Sequence, residues 1–369
     1  MSNIRERLSG IELLRIICMF GIIAYHYAVW GGFKSFSLYE FGHKMIFLQV
    51  LNLPGKICCV IFGLITGYFL VCYKTYDWTY FRKIVFVVAQ MYFYYLIILG
   101  IFLFAKPIPV SAKDILKSLF PTVYGTWYAV NYVLIYLLAP FLNKLIFHLK
   151  KKNFIYLLLF VVLIWSLIPT FMMPTKVTTQ VFDFGSLDFF IVTYLFGAYL
   201  RIHHKFAYKN KYNLYISIGL FVVLIFSVIV FDLIGVWSTN KKFIDNATYL
   251  RAGNSPISIA IAWFLLLYFA NLKFTNKTIN FISKSMFGVY LIHNNFILRR
   301  YIWNYLYPNS EYFSNIYLHS FIKILFVFII CILIDKFRII TVERMFTQYV
   351  MPAIDKKGQK LFYKYSNLS

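Results

Sequence analysis

Long apolar runs recur along the whole length of this chain, and they constrain its fold more than any other feature. Of its 369 residues, 61% are hydrophobic and only 14% are charged, and the mean hydropathy is +0.70. Ordinary globular domains carry about 25% charged residues. A helix needs ~20 apolar residues to cross a ~30 Å hydrocarbon core. Ten such stretches can be drawn, over about 11–30, 51–73, 84–105, 127–147, 154–173, 184–201, 212–236, 256–272, 284–304 and 316–335. Lipid offers the backbone no hydrogen-bond partners, so each stretch must satisfy its own N–H and C=O groups, as a helix does. The fold class expected is all-α: a polytopic membrane helix bundle of about ten transmembrane helices.

The formal net charge of +24 tests the orientation of that bundle. With a cytoplasmic N-terminus, the segments placed inside hold about 23 Lys and Arg residues and those placed outside about 11, the bias that anionic inner-leaflet lipid favours. Both termini are then cytoplasmic. No soluble basic domain or RNA-binding pattern accompanies the charge, so nucleic acid is not an expected partner. The N-terminal Arg5 and Arg7 lead into a full-length span without an A-x-A-like cleavage site, which reads as a retained first helix. The reading divides the chain into a membrane domain over 1–340 and a cytoplasmic tail over 341–369. Cys18, Cys58, Cys59, Cys72 and Cys331 all fall in apolar segments without metal-ligand spacing, and they read as small core residues. No feature bears on oligomeric state.

Ionisable side chains are expensive in lipid and mark candidate sites. Arg15 and His26 both lie in the first run. Eleven residues at ~100° each place them roughly 20° apart on one helix face, and ~1.5 Å per residue separates them by roughly 16 Å along its axis. Glu12, three residues before Arg15, shares that face. Either the pair fixes the helix depth, or Arg15 offers its planar fork of donors to an anionic ligand at the inner mouth. His26, in the outer half, suits proton abstraction from a hydroxyl or transient acylation. His293 lies at mid-depth in the ninth run, as a packing histidine or a second proton station. Asn131, one turn into the fourth span, either joins helices or lines a cavity. Lys56 and Lys323 are expected to snorkel toward the outer surface. Two outer connections, 106–126 and 237–255, are long enough to grip a substrate, and the first contains a candidate surface helix. Asp183 and Asp188 frame the outer start of the sixth span.

These residues fall in an order that resembles the acyltransferase 3 family of integral membrane acyltransferases over nearly the full length. The resemblance is carried by Gly10 through Arg15 to His26, by Phe62-Gly-Leu-Ile-Thr-Gly-Tyr-Phe-Leu70, and by Trp127-Tyr128 followed by Tyr132, Pro140, Phe141, Leu142 and Asn143. Phe190 to Arg201 with Gly197, Asn254-Ser255-Pro256, and Tyr290-Leu-Ile-His293 complete it. It implies transfer of an acyl group, usually acetyl, from cytoplasmic acyl-CoA to a hydroxyl of an extracytoplasmic glycan. It also implies His26 as the catalytic residue and no permanently bound cofactor or metal. Arg15 and Arg82 would bind acyl-CoA. The family often has two arginines three apart entering the third span, but here Lys83 follows Arg82 and position 85 is Val. The phosphate role therefore carries to Arg82, with Lys83 as a helper. Glu12, Trp127, Tyr128, Asn131, Tyr290 and His293 are carried as supporting or substrate-binding residues, and Thr126 precedes Trp127 where the family often has a polar residue or histidine. No hydrolase-like domain is appended, so the bundle is expected to act alone or with a separate protein. Arg15 and His26 are expected to face one continuous protein-lined passage. The Lys-, Asn-, Ile-, Phe- and Tyr-rich usage fits an AT-rich bacterial genome, which points to the cell membrane of a bacterium. A transporter or flippase of lipid-linked saccharide is the alternative. It would carry matched, broken half-repeats, and none is visible.

Overall fold

A computed structural model of the chain describes residues 9–31, 33, 42–73, 76–171, 185–203, 210–240, 243, 247–308 and 314–366. Arg5, Arg7 and Asp183 lie outside the described residues. Among the described residues there are helices and no strands. The first half comprises α1 Ser9–Trp30, α2 His43–Asn52, α3 Pro54–Leu70, α4 Trp78–Ala105, α5 Ala112–Leu119, α6 Pro121–Tyr124, α7 Trp127–His148 and α8 Lys151–Phe171. After it come α9 Leu187–His203, α10 Lys211–Trp237, α11 Pro256–Ala270, α12 Lys277–Ser283, α13 Met286–His293, α14 Phe296–Asn304 and α15 Ile316–Arg338. Two π turns lead α15 into α16, Met351–Ser366.

Among the described residues, every apolar stretch read from the sequence is helical over most of its length. Seven helical segments among the described residues are long and apolar enough to cross a membrane, so the chain is a multi-pass membrane protein. The remaining three stretches correspond to the 17-residue α9, the 15-residue α11 and the broken pair α13–α14. The break has a local cause. Asn295 turns its side chain back to accept from the Ile297 and Leu298 N–H groups, starting a new helix. Such side-chain capping competes with helix continuation. Other starts are similarly encoded. Asp77 accepts from the Tyr80 N–H before α4, and Ser255 from the Ser258 N–H before α11, where Pro256 occupies the first turn. The surface helix expected in 106–126 is α5, opened by a reciprocal Ser111–Asp114 capping box.

Association of helices in lipid depends on close packing, because tails are as apolar as leucine. The α3–α9 pair achieves it with small residues. A Cβ on Gly67 would lie 2.1 Å from the Tyr194 carbonyl oxygen, and one on Gly197 would lie 1.9 Å from that of Leu64. Neither position accepts a side chain without separating the helices. Asn143 on α7 ties into this pair, donating to the Leu70 carbonyl at 2.9 Å and accepting from the Tyr194 hydroxyl at 2.6 Å. α1 packs against α3, α11, α12 and α15. Its first turn is pinned by Ser9, whose Oγ donates to Asn280 at 2.9 Å and accepts from the Asn276 N–H at 2.7 Å. This frame fixes the face of α1 that carries Arg15 and His26.

The described residues after 340 are helical, and α16 packs on α4. Phe362 packs on Trp78 and Phe81, while Asp355 accepts from Trp78 Nε1 at 2.8 Å and from Arg82 Nε at 3.1 Å. α16 thus follows from a specific polar clamp between residues 273 apart in sequence.

Candidate active site

α1 runs between two cavities. The larger, about 1130 Å³, is lined by Glu12 and Arg15. The smaller, about 310 Å³, is lined by His26. Ile22, Cys59 and Tyr290 line both, so the two cavities adjoin at these three buried or half-buried side chains. The face of α1 expected to border one protein-lined passage thus borders two adjoining cavities.

In the larger cavity Arg15 is held by its neighbours. Its Nη1 donates to Glu12 Oε1 at 3.2 Å and Oε2 at 3.3 Å, and its guanidinium lies 5.3 Å from the centre of the Phe69 ring. Glu12 is 2% exposed and also accepts from the Ser283 hydroxyl, which anchors α1 to α12. A buried carboxylate needs such partners to remain charged. The pair therefore aims Arg15 while leaving part of its fork for a ligand.

The other cations sort differently from the sequence reading. Lys83 lines the larger cavity and donates to the Tyr73 hydroxyl. Arg82 is not among its lining residues; it is engaged by Asp355 on α16. Arg201, Lys284 and Arg338 line the cavity as well. Arg201 donates to the Tyr68 hydroxyl at 3.0 Å and stacks over the Tyr68 ring at 4.9 Å. Arg338 is fixed by Asp335 at 2.9 Å and Glu343 at 2.7 Å. Asp335, fully buried, also accepts from Tyr94 at 2.7 Å and Gln90 at 3.2 Å. Gly288 makes room for it: a Cβ there would lie 2.0 Å from Asp335 Oδ1. At span ends Arg201 and Arg338 look like topology charges. Their only sequence signal is position, which marks many residues that line nothing.

His26, which lines the smaller cavity, meets His293 behind it, which lines neither cavity. His26 Nδ1 lies 3.0 Å from His293 Nε2, and His293 Nδ1 lies 2.6 Å from the Val289 carbonyl oxygen. Both rings are buried. A carbonyl only accepts, so His293 Nδ1 carries a proton and, in the neutral ring, Nε2 is an acceptor. His26 Nδ1 must then donate to it. That leaves His26 Nε2 with a lone pair and no protein hydrogen bond among the described residues. The chain from Val289 through His293 thus selects the tautomer of His26 in which the free nitrogen is basic.

The remaining candidates divide between packing and cavity. Trp127 lines the smaller cavity, Tyr128 the larger, and Tyr290 both. The Tyr128 ring packs edge-on against Tyr290 with centroids 5.6 Å apart. The Tyr290 hydroxyl is buried and makes no hydrogen bond. Asn131 lines neither cavity; its side chain donates to the Gly185 carbonyl at 2.8 Å, joining α7 to the approach to α9. Lys56 does not simply snorkel away, because it lines the smaller cavity with Lys117 and Arg299. Asp188 accepts from Trp165 Nε1, a tie between α9 and α8.

An all-helical membrane bundle that carries a fixed cation and a base of selected tautomer in adjoining cavities is built for chemistry at two depths. The chain belongs to the acyltransferase 3 family, whose model, described as an acyltransferase domain, matches residues 8–336. It is a membrane acyltransferase. No curated protein and no solved structure matches it.

Proposed function

We propose that the protein moves an acetyl or similar short acyl group from cytoplasmic acyl-CoA to a hydroxyl of an extracytoplasmic glycan. In this reading it sits in the bacterial cytoplasmic membrane with ten crossings, the short and broken helices among them, and with both termini inside. The observation that carries it is the adjacency of two cavities that share Ile22, Cys59 and Tyr290, with Arg15 lining one and His26 the other.

The larger cavity opens to the cytoplasm. It presents five cationic side chains, Arg15, Lys83, Arg201, Lys284 and Arg338, against two carboxylates, Glu12 and Glu343. A surplus of guanidinium and ammonium donors suits the phosphates of a CoA thioester. The volume of about 1130 Å³ lies at the upper end of ordinary ligand sites. The roughly 16 Å of helix rise between Arg15 and His26 is of the order of an extended pantetheine arm. The arm would pass between the cavities at Ile22, Cys59 and Tyr290.

The acceptor hydroxyl enters from the other side. His26 Nε2 takes its proton, and the oxygen attacks the thioester carbonyl carbon. The new C–O bond forms as the C–S bond breaks, and the departing thiolate receives the proton from His26. The Tyr290 hydroxyl, lacking a hydrogen-bond partner, is the donor that would meet the developing oxyanion. An acyl-histidine route would use the same Nε2.

The test is transfer from radiolabelled acetyl-CoA to a purified glycan acceptor by protein in lipid. His26→Ala should lower the rate by about 10²–10⁴-fold, the range of general acid–base catalysis, with expression intact. Unaltered transfer in that variant would falsify the role given to His26.

A further inference from the structure

We propose that the larger cavity reads the nucleobase of its acyl donor: Arg338 and Glu343 form a hydrogen-bonding pair for the edge of adenine, and so select an adenine-bearing acyl carrier. The proposal rests on the acyl-transfer reading above and names what recognises the nucleotide end of the donor.

Both residues line the larger cavity, together with Ile339. They stand where α15 passes into a π turn, Ile339–Glu343, beyond the residues 8–336 matched by the family model. The turn decides their relation. In an α-helix, five residues at ~100° each would carry Glu343 about 140° round the axis from Arg338. A π turn closes every five residues. Glu343 therefore comes back over Arg338, whose Nη1 donates to Glu343 Oε2 at 2.7 Å. Such turns are rare and recur at functional sites. Behind the pair stands Asp335, which accepts from Arg338 Nε at 2.9 Å.

Charge argues against a phosphate at this point of the lining. Asp335 and Glu343 set two carboxylates against one guanidinium, and a further anion beside them would be repelled. The phosphates fall instead to Arg15, Lys83, Arg201 and Lys284. A neutral edge with one acceptor and one donor fits the pair. Arg338 offers the N–H groups of Nη2. Glu343 offers Oε1, which makes no hydrogen bond among the described residues. Adenine carries the complement, a ring nitrogen that accepts beside an exocyclic amine that donates. A base with a carbonyl oxygen in place of that amine would set it against the Glu343 carboxylate. The surroundings suit a flat ring. Lys83, Phe86, Val87 and Gln90 line the cavity from one face of α4. Phe86 is backed by Phe346 of the second π turn, with ring centres 5.7 Å apart.

Binding separates this proposal from the transfer reading. Acetyl-CoA and its hypoxanthine analogue, in which a carbonyl oxygen replaces the exocyclic amine, are titrated into the full-length protein in lipid nanodiscs by calorimetry. Acetyl-CoA should bind about tenfold or more tightly, the effect of exchanging one hydrogen bond to a charged group for a repulsion. Glu343→Gln should reverse the preference. Its amide oxygen still accepts from Arg338, while its NH₂ group now donates to the carbonyl of the analogue. Glu343→Ala removes the acceptor without adding a donor and should bring the ratio to about one. A glutamate that only braced the turn would, when replaced, weaken both ligands alike. Equal binding of the two ligands by wild type, or a wild-type ratio retained in both folded variants, overturns the proposal. The wild-type ratio decides alone if a variant fails to fold. Acyl transfer is measured alongside. A base preference without transfer to any acceptor leaves the nucleobase site standing and removes the transfer reading. Transfer from both donors, bound equally, removes the nucleobase site and leaves the transfer reading standing.

Discussion

The two cavities that meet at Ile22, Cys59 and Tyr290 differ in the carboxylates among their described linings: Glu12 and Glu343 in the larger, none in the smaller. In the larger, Arg15 and Arg338 are gripped by the carboxylates of Glu12, Asp335 and Glu343. In the smaller, Lys56, Lys117 and Arg299 lie against aromatic rings, and no described carboxylate lines the space. A carboxylate clamp fixes a guanidinium at a set angle, which favours a rigid, preformed binding surface. A ring face holds a cation in place without fixing its angle as tightly. The Arg15 side is thus the more rigidly held of the two.

After His26 itself, the largest effect expected is at His293, which sharpens the distinction between binding and chemistry. His293 touches His26 and not the donor cavity. His293→Ala removes the acceptor that selects the His26 tautomer. We expect kcat to fall by about 10–100-fold, as when hydrogen-bond partners of metal-bound histidines are removed, with the KM for acyl-CoA unchanged. Steady-state kinetics check this. A variant that raises that KM and spares kcat would break the assignment of His293 to the acceptor side.

Next in size is the Arg15–Glu12 pair. Arg15→Ala removes the cation from a carboxylate that is 2% exposed. Breaking a buried pair from one side costs about 3–5 kcal/mol, and the 24% exposure of Arg15 brings this down to about 1–3 kcal/mol. Thermal unfolding in lipid should report it. Adding Glu12→Gln should restore stability but not acyl-CoA affinity. If affinity returns with stability, Arg15 is a depth anchor and nothing more.

Smaller again is the contrast between Arg82 and Arg201. Arg201→Ala should raise the KM for acyl-CoA about tenfold, the effect of losing one charge-assisted contact. Arg82→Ala should change it by less than about threefold, because Arg82 lines neither cavity and pairs with the half-buried Asp355 of α16. The reverse order would return the phosphate site to Arg82.

That contrast also shows where sequence reasoning reached and where it stopped. The bundle was legible because apolar length dictates helices in lipid. The Arg15–His26 face was legible because helical geometry over eleven residues leaves little freedom. Arg82 was misplaced because Asp355 lies 273 residues away and nothing in local sequence announces the clamp. Arg201, Arg299 and Arg338 were passed over because at helix ends, cations that line a cavity look like cations that only set topology. Lys56 was taken for a snorkelling side chain for the same reason. The break after His293 escaped notice because Asn294 and Asn295 interrupt an otherwise apolar run without proline or glycine.

The smallest expected effect concerns the helix that carries Lys117. Asp114 opens α5 and holds Arg300 of α14, so it couples two of the three elements that bring cations to His26. Burial raises its carboxyl pKa. The Ser111 N–H and hydroxyl, together with the Arg300 guanidinium, outweigh burial and hold the pKa below the ordinary 3.8. A depressed folded-state pKa gives stability that is present above the unfolded value and lost as pH falls through the folded one. The contribution is therefore full at neutral pH, begins to decline near about 4, and is gone only once pH falls below the lowered folded-state pKa. Thermal unfolding in lipid should show stability falling over that acid window. Asp114→Asn should already be less stable at pH 7 and lose that part of the acid dependence. Because α5 is short and its charges are partly solvated, the change should stay within about 1 kcal/mol. An acid profile of stability identical in wild type and Asp114→Asn would mean that the Ser111–Asp114–Arg300 link does not hold α5 to α14.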